Sequence, residues 1–241
     1  MLLNCDLGES FGSWSMGLDE EVMPYIDQAN IACGFHAGDP QVIQKTITLA
    51  KQHQVMIGAH PSYPDLQGFG RRSMHCSTEE ISAFLHYQIA AIAGMAAIQG
   101  VKIHYVKPHG ALYNDMMKKP SVLVAVMEAV ASYHQPLTLM IQASTQFYQH
   151  QQQAKKLGLH LWAEAFADRC YDDKGYLLPR SEKGAVLSKE KMLVQVQQLQ
   201  AQGSVTTING KTIVLSPDSL CVHGDNIAAI EAIKEIKTII T

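Results

Sequence analysis

Seven short apolar or β-branched runs, each followed by a stretch of helical period, constrain this chain more than any other feature. They are Leu2 to Asp6, Gln28 to Cys33, Val55 to His60, Lys102 to Lys107, Leu137 to Gln142, His160 to Glu164, and Ser219 to His223. Such alternation predicts an α/β fold with a largely parallel sheet. In that architecture the carboxyl ends of all the strands face one crevice, so residues scattered along the chain converge there. Five of the seven runs end in a carboxylate, an imidazole or a cation.

From Asp6 to Cys33 and from Cys33 to His60 is 27 residues each, the length of one βα unit, and that regularity favours a barrel. An open, doubly wound sheet has the same periodicity, and an eighth strand could lie in the Tyr176 to Leu187 segment. The intervening helices carry start and stop chemistry. Asp39-Pro40 places a capping carboxylate before a proline at the first helical position, Ser77 and Glu80 form a capping box, and Gly100 supplies a left-handed stop. Ser188 and Gly203 bracket a further helix, and Asp225 precedes the last. Asn209-Gly210 between two β-branched runs predicts a hairpin with a type I′ turn. The Gly210-Lys211-Thr212 within it is no phosphate loop, because Val205 stands where the first glycine is required and a strand follows.

The 241 residues are 47% hydrophobic, enough for one large core, and a single domain over 1–241 is the expectation. With 19 Lys+Arg against 22 Asp+Glu there is no basic stripe for nucleic acid or an anionic membrane surface. Five cysteines without a CxxC pair predict neither a disulfide framework nor a thiolate zinc site, which fits a reducing cytoplasm. No basic, then apolar, secretory leader is visible, and the apolar stretch Ile81 to Ile98 is broken by Ser82, His86 and Gln88 like a buried helix.

The strand ends supply the candidate site. The first gives Asp6 and Glu9, and the second gives Asn30 and then His36 in a loop between Gly34 and Gly38. The third gives His60, followed by the Gly68-Phe69-Gly70-Arg71-Arg72 loop, and the fourth gives Lys107 and His109. The fifth offers Gln142 and Ser144, the sixth Glu164, Asp168 and Arg169, and the seventh His223, Asp225 and Asn226. Carboxylates beside imidazoles can set a general base near neutrality, and Lys107, Arg71 or Arg72 can bind a substrate anion or steady an oxyanion. Phe11, Trp14, Tyr63 and Tyr113 are candidate walls.

Capping alone accounts for Asp39 and Asp225. Asp6 differs, because no helical pattern begins directly after it. Four histidines just past strands, His36, His60, His109 and His223, point to a shared site, whereas His53, His86, His134 and His150 lie within helical segments. Cys5, Cys33 and Cys221 in or beside strands read as small packed hydrophobes rather than nucleophiles. An Asp6/His36/His60 set could bind zinc or another divalent ion, although no HxxxH or HExxH spacing supports it.

The runs 3–12, 29–39, 58–65, 68–72, 106–113 and 221–225 together resemble those of the LamB/YcsF family. The resemblance spans essentially the whole chain. It implies an irregular (β/α) barrel of about seven parallel strands, related to the glycoside hydrolase and polysaccharide deacetylase folds. It also implies a part in the ATP-dependent opening of 5-oxo-L-proline to L-glutamate, with two partner subunits supplying activation by ATP. On that footing Asp6 and a nearby histidine, His36 or His60, would activate water. Lys107 and an arginine would hold a phosphate or carboxylate, and His109 or His223 would protonate the leaving nitrogen. Glu9, Asn30, Arg71, Arg72, Tyr113, Glu164, Asp168 and Asp225 would bind substrate. The competing expectations are a stand-alone metal-dependent deacetylase or amidohydrolase, and a binding subunit with a vestigial site.

Overall fold

The structure, a computed structural model, describes residues 1–180, 182–223 and 227–240. In chain order the elements are β1 (Leu2–Leu7), α1 (Asp19–Val22), β2 (Gln28–Ala32), α2 (Pro40–Gln52), β3 (Met56–His60), α3 (Thr78–Ile98), β4 (Ile103–Val106), α4 (Gly110–Lys118) and α5 (Pro120–Ala131). There follow β5 (Thr138–Gln142), α6 (Phe147–Lys156), β6 (His160–Phe166), α7 (Lys189–Gln202), β7 (Ser204–Thr206), β8 (Thr212–Val214), β9 (Ser219–Cys221) and α8 (Ile227–Ile240). All seven expected runs are parallel strands, and they close into a barrel in the order β1-β2-β3-β4-β5-β6-β9. Closure is made by β9, whose Ser219 lies opposite Leu2 of β1 and Glu164 of β6. The open-sheet alternative is thereby removed, as is an eighth barrel strand. The described residues between Tyr176 and Leu187 pair only through isolated bridges, Tyr171 with Leu177 and Arg169 with Val186.

Side chains alternate across each strand. Leu3, Cys5 and Leu7 of β1 join the buried apolar layer under the helices. Asn4 and Asp6 alternate with them and bond across the barrel. Asn4 Nδ2 donates to Ser219 Oγ at 2.7 Å, Ser219 Oγ to Gln28 Oε1 at 2.6 Å, Asn30 Nδ2 to Asn4 Oδ1 at 2.8 Å, and Tyr105 Oη to Asn30 Oδ1 at 2.6 Å. The barrel interior is therefore a polar ladder whose members bond one another, Gln28 Nε2 excepted among the described residues, which offsets most of the cost of taking such groups out of water.

The helix boundaries follow the local chemistry. Asp39 Oδ1 accepts from the backbone of Gln41 and Val42 at the start of α2, and Ser77 with Glu80 makes the complete capping box of α3. Ser188 starts α7 without a side-chain cap bond, whereas Gly203 ends it in the left-handed region. Helix α3 is by length and composition apolar enough to cross a membrane, and its Ile81, Leu85, Ile89, Ile92 and Ala96 are buried in the core. The expectation of Asp225 as the cap of α8 falls outside the described residues.

The hairpin forms, but its turn differs. β7 and β8 pair antiparallel, Gly210 N–H donates to Thr207 O at 2.9 Å, and Gly210 has φ +81° while Asn209 does not enter the left-handed region. That is a type I turn followed by a left-handed glycine. A three-residue connection, 208–210, needs this form; the two-residue I′ turn would require both central residues at positive φ.

Candidate active site

A cavity of about 300 Å³ opens at the carboxyl ends of the strands. Asp6, Glu9, His60, Lys107, His109 and His223 line its floor, and Arg71, Tyr113, Phe166, Arg169 and Arg180 are among its wall residues. The far wall comes from the excursion between β6 and α7. Gln195 Nε2 holds it by donating to the carbonyls of Phe166, Ala167 and Arg169, and Gln142 Nε2 by donating to Gly175 O at 2.6 Å.

Lys107 stands at the centre of the floor, just past the end of β4. Its Nζ lies 2.8 Å from Asp6 Oδ1 and 2.7 Å from Glu164 Oε1, with Asn4 Oδ1 and Cys221 Sγ each at 3.2 Å. Tyr113 Oη donates to the other oxygen of Glu164 at 2.8 Å. Burial works against this ammonium, but Asp6, Cys221 and Glu164 outweigh it and hold Lys107 well above its usual pKa. Two carboxylates already neutralise Lys107, so it is not the open anion receptor expected from the sequence. Burial also opposes the Asp6 charge, and His60 and Lys107 overcome it to hold Asp6 well below the usual carboxylate range. Asp6 Oδ1 is occupied by Lys107 and by Asn30 Nδ2 at 2.8 Å, while Oδ2 lies 3.4 Å from His60 Nε2 and 3.7 Å from His223 Nε2.

His223 is oriented from behind by Asp168, whose Oδ2 is 2.8 Å from Nδ1. Burial disfavours the imidazolium, but Asp168 prevails and the His223 pKa is raised. This is a carboxylate–imidazole pair suited to donating a proton from Nε2.

The other histidines form a second cluster. His60 Nδ1 lies 2.6 Å from Lys107 O, and His109 Nε2 lies 2.9 Å from Phe69 O. Carbonyl oxygens only accept, so those nitrogens carry the ring protons when the imidazoles are neutral. His60 Nε2 and His109 Nδ1 are then both bare lone pairs, and they face one another at 2.9 Å. Only a cation between them, a proton or a metal ion, makes that contact favourable. His36 stacks on His109 with ring centres 3.8 Å apart and, among the described residues, has no hydrogen-bond partner at either nitrogen. Glu9 Oε1 is likewise buried without a hydrogen bond, 3.4 Å from His36 Nε2 and 3.7 Å from His109 Nδ1. Burial pushes His36 and His109 well below the usual histidine pKa and raises that of Glu9, despite the opposing pull of His109 on Glu9. Gly70, at φ +63°, lets the loop close over this cluster, since a Cβ there would stand 2.8 Å from His109 Cδ2.

Donor atoms thus gather in two groups, Glu9 with His36, His60 and His109, and Asp6 with Cys221 and His223. This grouping differs from the Asp6/His36/His60 set expected from the sequence. Asn30 supports Asp6 from within the barrel, and Glu164 and Asp168 act through Lys107, Tyr113 and His223. Arg71 lies over the Phe69 ring at 4.9 Å and lines the cavity. Arg72 instead points outward and ties its guanidinium to buried Asp65, fixing the loop. Tyr63 is buried against Asp115, and Trp14 is exposed on the turn it shares with Phe11, so neither walls the cavity. Phe69 and Phe166 take that place. Asp225 lies outside the described residues. Asn4, Tyr105 and Cys221 join the site without appearing among the strand-end candidates, although their alternation with Leu3, Val106 and Leu220 is a legible period-two signal.

A closed parallel barrel with carboxylates and imidazoles at the carboxyl ends of its strands has the architecture of an α/β-barrel hydrolase. Residues 1–241 match the LamB/YcsF family, and the chain belongs to that family. It is 53% identical over 238 residues to a Pseudomonas putida protein named as a 5-oxoprolinase subunit, covering 98% of this chain and 92% of that one. A Vibrio cholerae protein, also named as a 5-oxoprolinase subunit, is 52% identical over 236 residues, covering 98% and 95%. Among solved structures, a lactam utilization protein from Thermus thermophilus superposes with a TM-score of 0.89 at 37% identity, covering 98% and 95%. A putative cellobiose-phosphate cleavage protein from Enterococcus faecalis shares the fold alone, with a TM-score of 0.61 at 12% identity over 99% and 92% of the two chains.

Proposed function

We propose that this chain, acting over 1–241 as one catalytic barrel in the cytoplasm, is the hydrolytic subunit of an ATP-dependent 5-oxoprolinase that opens 5-oxo-L-proline to L-glutamate. Two partner subunits supply the ATP step. The observation that carries this reading is the acid–imidazole floor, in a chain half identical to proteins named for that activity. The lactam is a resonance-stabilised amide, so water adds readily only once its oxygen is activated. In the partner, that oxygen takes the γ-phosphoryl group of ATP, ADP departs, and the ring N–H proton is lost to leave a cyclic imidate phosphate.

Water held by Asp6 Oδ2 then adds to the ring carbon, and Glu9, whose burial favours its protonated form, accepts the proton. As water adds, the C=N π pair moves to nitrogen, which takes the proton of His223; as the C–N bond breaks, its electron pair goes to nitrogen with the proton held by Glu9, and the carbinol O–H proton, released as the carbonyl forms, returns to His223. The resulting acyl phosphate takes a second water, giving glutamate and inorganic phosphate. Asp6 therefore orients and stabilises, while Glu9 takes the base role expected of Asp6 from the sequence. The test is glutamate formation by the reconstituted complex with ATP and 5-oxoproline. Loss with Asp6→Asn and with Glu9→Gln is expected, and unchanged rates in both variants would sink the reading.

The facing lone pairs favour a second reading, in which His60 Nε2, His109 Nδ1 and Glu9 Oε1 hold a divalent ion such as zinc, with His36 beside them. When bound, the ion would acidify water. The protein's part is to present neutral, oriented imidazoles and a carboxylate. Metal analysis of the purified protein, with His109→Ala as control, decides between the two: stoichiometric metal lost in the variant supports the ion, and its absence from both leaves Glu9 as base.

A further inference from the structure

Once Lys107 is committed to Asp6 and Glu164, another cation must receive any anionic part of a ligand. The chain carries a net charge of -3, yet Arg71, Lys118, Arg169 and Arg180 all line this cavity. They fall into two groups, or poles, by their place in the chain. Arg71 stands over Phe69 on the β3–α3 loop, with Lys118 at the end of α4, while Arg169 and Arg180 belong to the excursion after β6.

The second pole is the more constrained. Arg169 is 8% exposed, and its guanidinium donates to Ala185 O and Leu178 O, so its orientation is fixed. Burial first, and then the Arg180 charge, push Arg169 below the usual guanidinium pKa, which sets the two cations against each other. Asp168 is the carboxylate that acts on both, and it is already paired with His223. Asp168 thus lies among three cationic groups. Two guanidinium groups lining one cavity, one of them buried, are favourable partners for an anion, and arginine forks match phosphate oxygens.

We propose that Arg169 and Arg180 form a phosphate-binding subsite, opposite a carboxylate-binding pole at Arg71, so that the cavity selects a ligand with two separated anionic groups. This rests on the functional reading above and sharpens it. Free 5-oxoproline, with one carboxylate, fills only one pole; the phosphorylated ring fills both, and the phosphate product leaves from the second. This chain therefore works on the ring after phosphoryl transfer.

The experiment titrates the purified full-length chain separately with inorganic phosphate and with 5-oxoproline by calorimetry, comparing wild type with Arg180→Ala, Arg180→Lys and Arg71→Ala. Arg180→Ala is expected to weaken phosphate about tenfold or more while changing 5-oxoproline affinity less than about twofold, with Arg180→Lys partly restoring phosphate. Arg71→Ala is expected to show the opposite preference. Absence of phosphate binding to wild type, or equal losses of both ligands in both alanine variants, would overturn the two-pole assignment. A complex that makes glutamate yet shows either result refutes this inference alone, whereas a complex that makes none refutes the functional reading.

Discussion

The two halves of the site are built on opposite principles. Around Lys107 each charge has an opposite one beside it: Asp6 and Glu164 flank the ammonium, Glu164 Oε1 as an ion pair without a hydrogen bond, Asn4 accepts from Lys107, Asn30 donates to Asp6, and Tyr113 donates to the far oxygen of Glu164. Around His109 the reverse holds, with two lone pairs 2.9 Å apart and buried atoms of His36 and Glu9 lacking hydrogen bonds. A satisfied network fixes geometry, and an unsatisfied one marks where a ligand, proton or ion is to come. On the proposed function, the paired half holds Asp6 in place and the unpaired half supplies Glu9 as the proton acceptor.

This contrast breaks most sharply at Lys107. Lys107→Ala leaves Asp6 and Glu164 as uncompensated buried carboxylates and should destabilise the fold by about 3–5 kcal/mol, read by thermal or urea unfolding. A melting temperature that does not move would show that the ladder is not structural. His109→Ala, in the unpaired half, should lower glutamate formation by about a hundredfold or more while stability changes little, because a repulsive lone-pair contact disappears with the ring. Equal losses of stability in the two variants would erase the distinction between the halves.

Smaller effects refine it. Asp168 raises the His223 pKa, so the imidazolium and the stability it contributes are fully present below the unfolded-state pKa and are lost as pH rises through the higher folded value. Asp168→Asn lowers that folded value and should move the basic limb of the pH–rate profile down by about one unit. A limb that stays in place would separate His223 from proton donation. Far from either half, Gly210→Ala puts a side chain at φ +81° and should cost about 1 kcal/mol with activity unchanged.

Much of this is legible in the sequence because it is local. Strand runs, the Asp39 cap and the Ser77–Glu80 box depend on residues a few positions apart, and the observed elements follow them closely. The hairpin turn departs from expectation because Asn-Gly fits two turn types, and the loop length that chooses between them depends on where pairing stops. Arg72 departs for a different reason. Two adjacent arginines look equivalent in sequence, and only the position of Asp65 beneath the loop sends one outward and leaves the other on the cavity wall.

By itself the sequence determined that parallel strands deliver Asp6, His60, Lys107 and His223 to one end of the sheet, since period and punctuation are properties of neighbouring residues. Tertiary structure decided what those groups are. Barrel closure through β9 brings β1, β4, β6 and β9 around one axis, turning Lys107 from an anion receptor into the hub of an ion ladder. The carbonyls of Lys107 and Phe69 fix the tautomers that aim two lone pairs at each other. Charge state and proton position depend on partners from distant strands and loops, and no local pattern along the chain encodes which partners those will be.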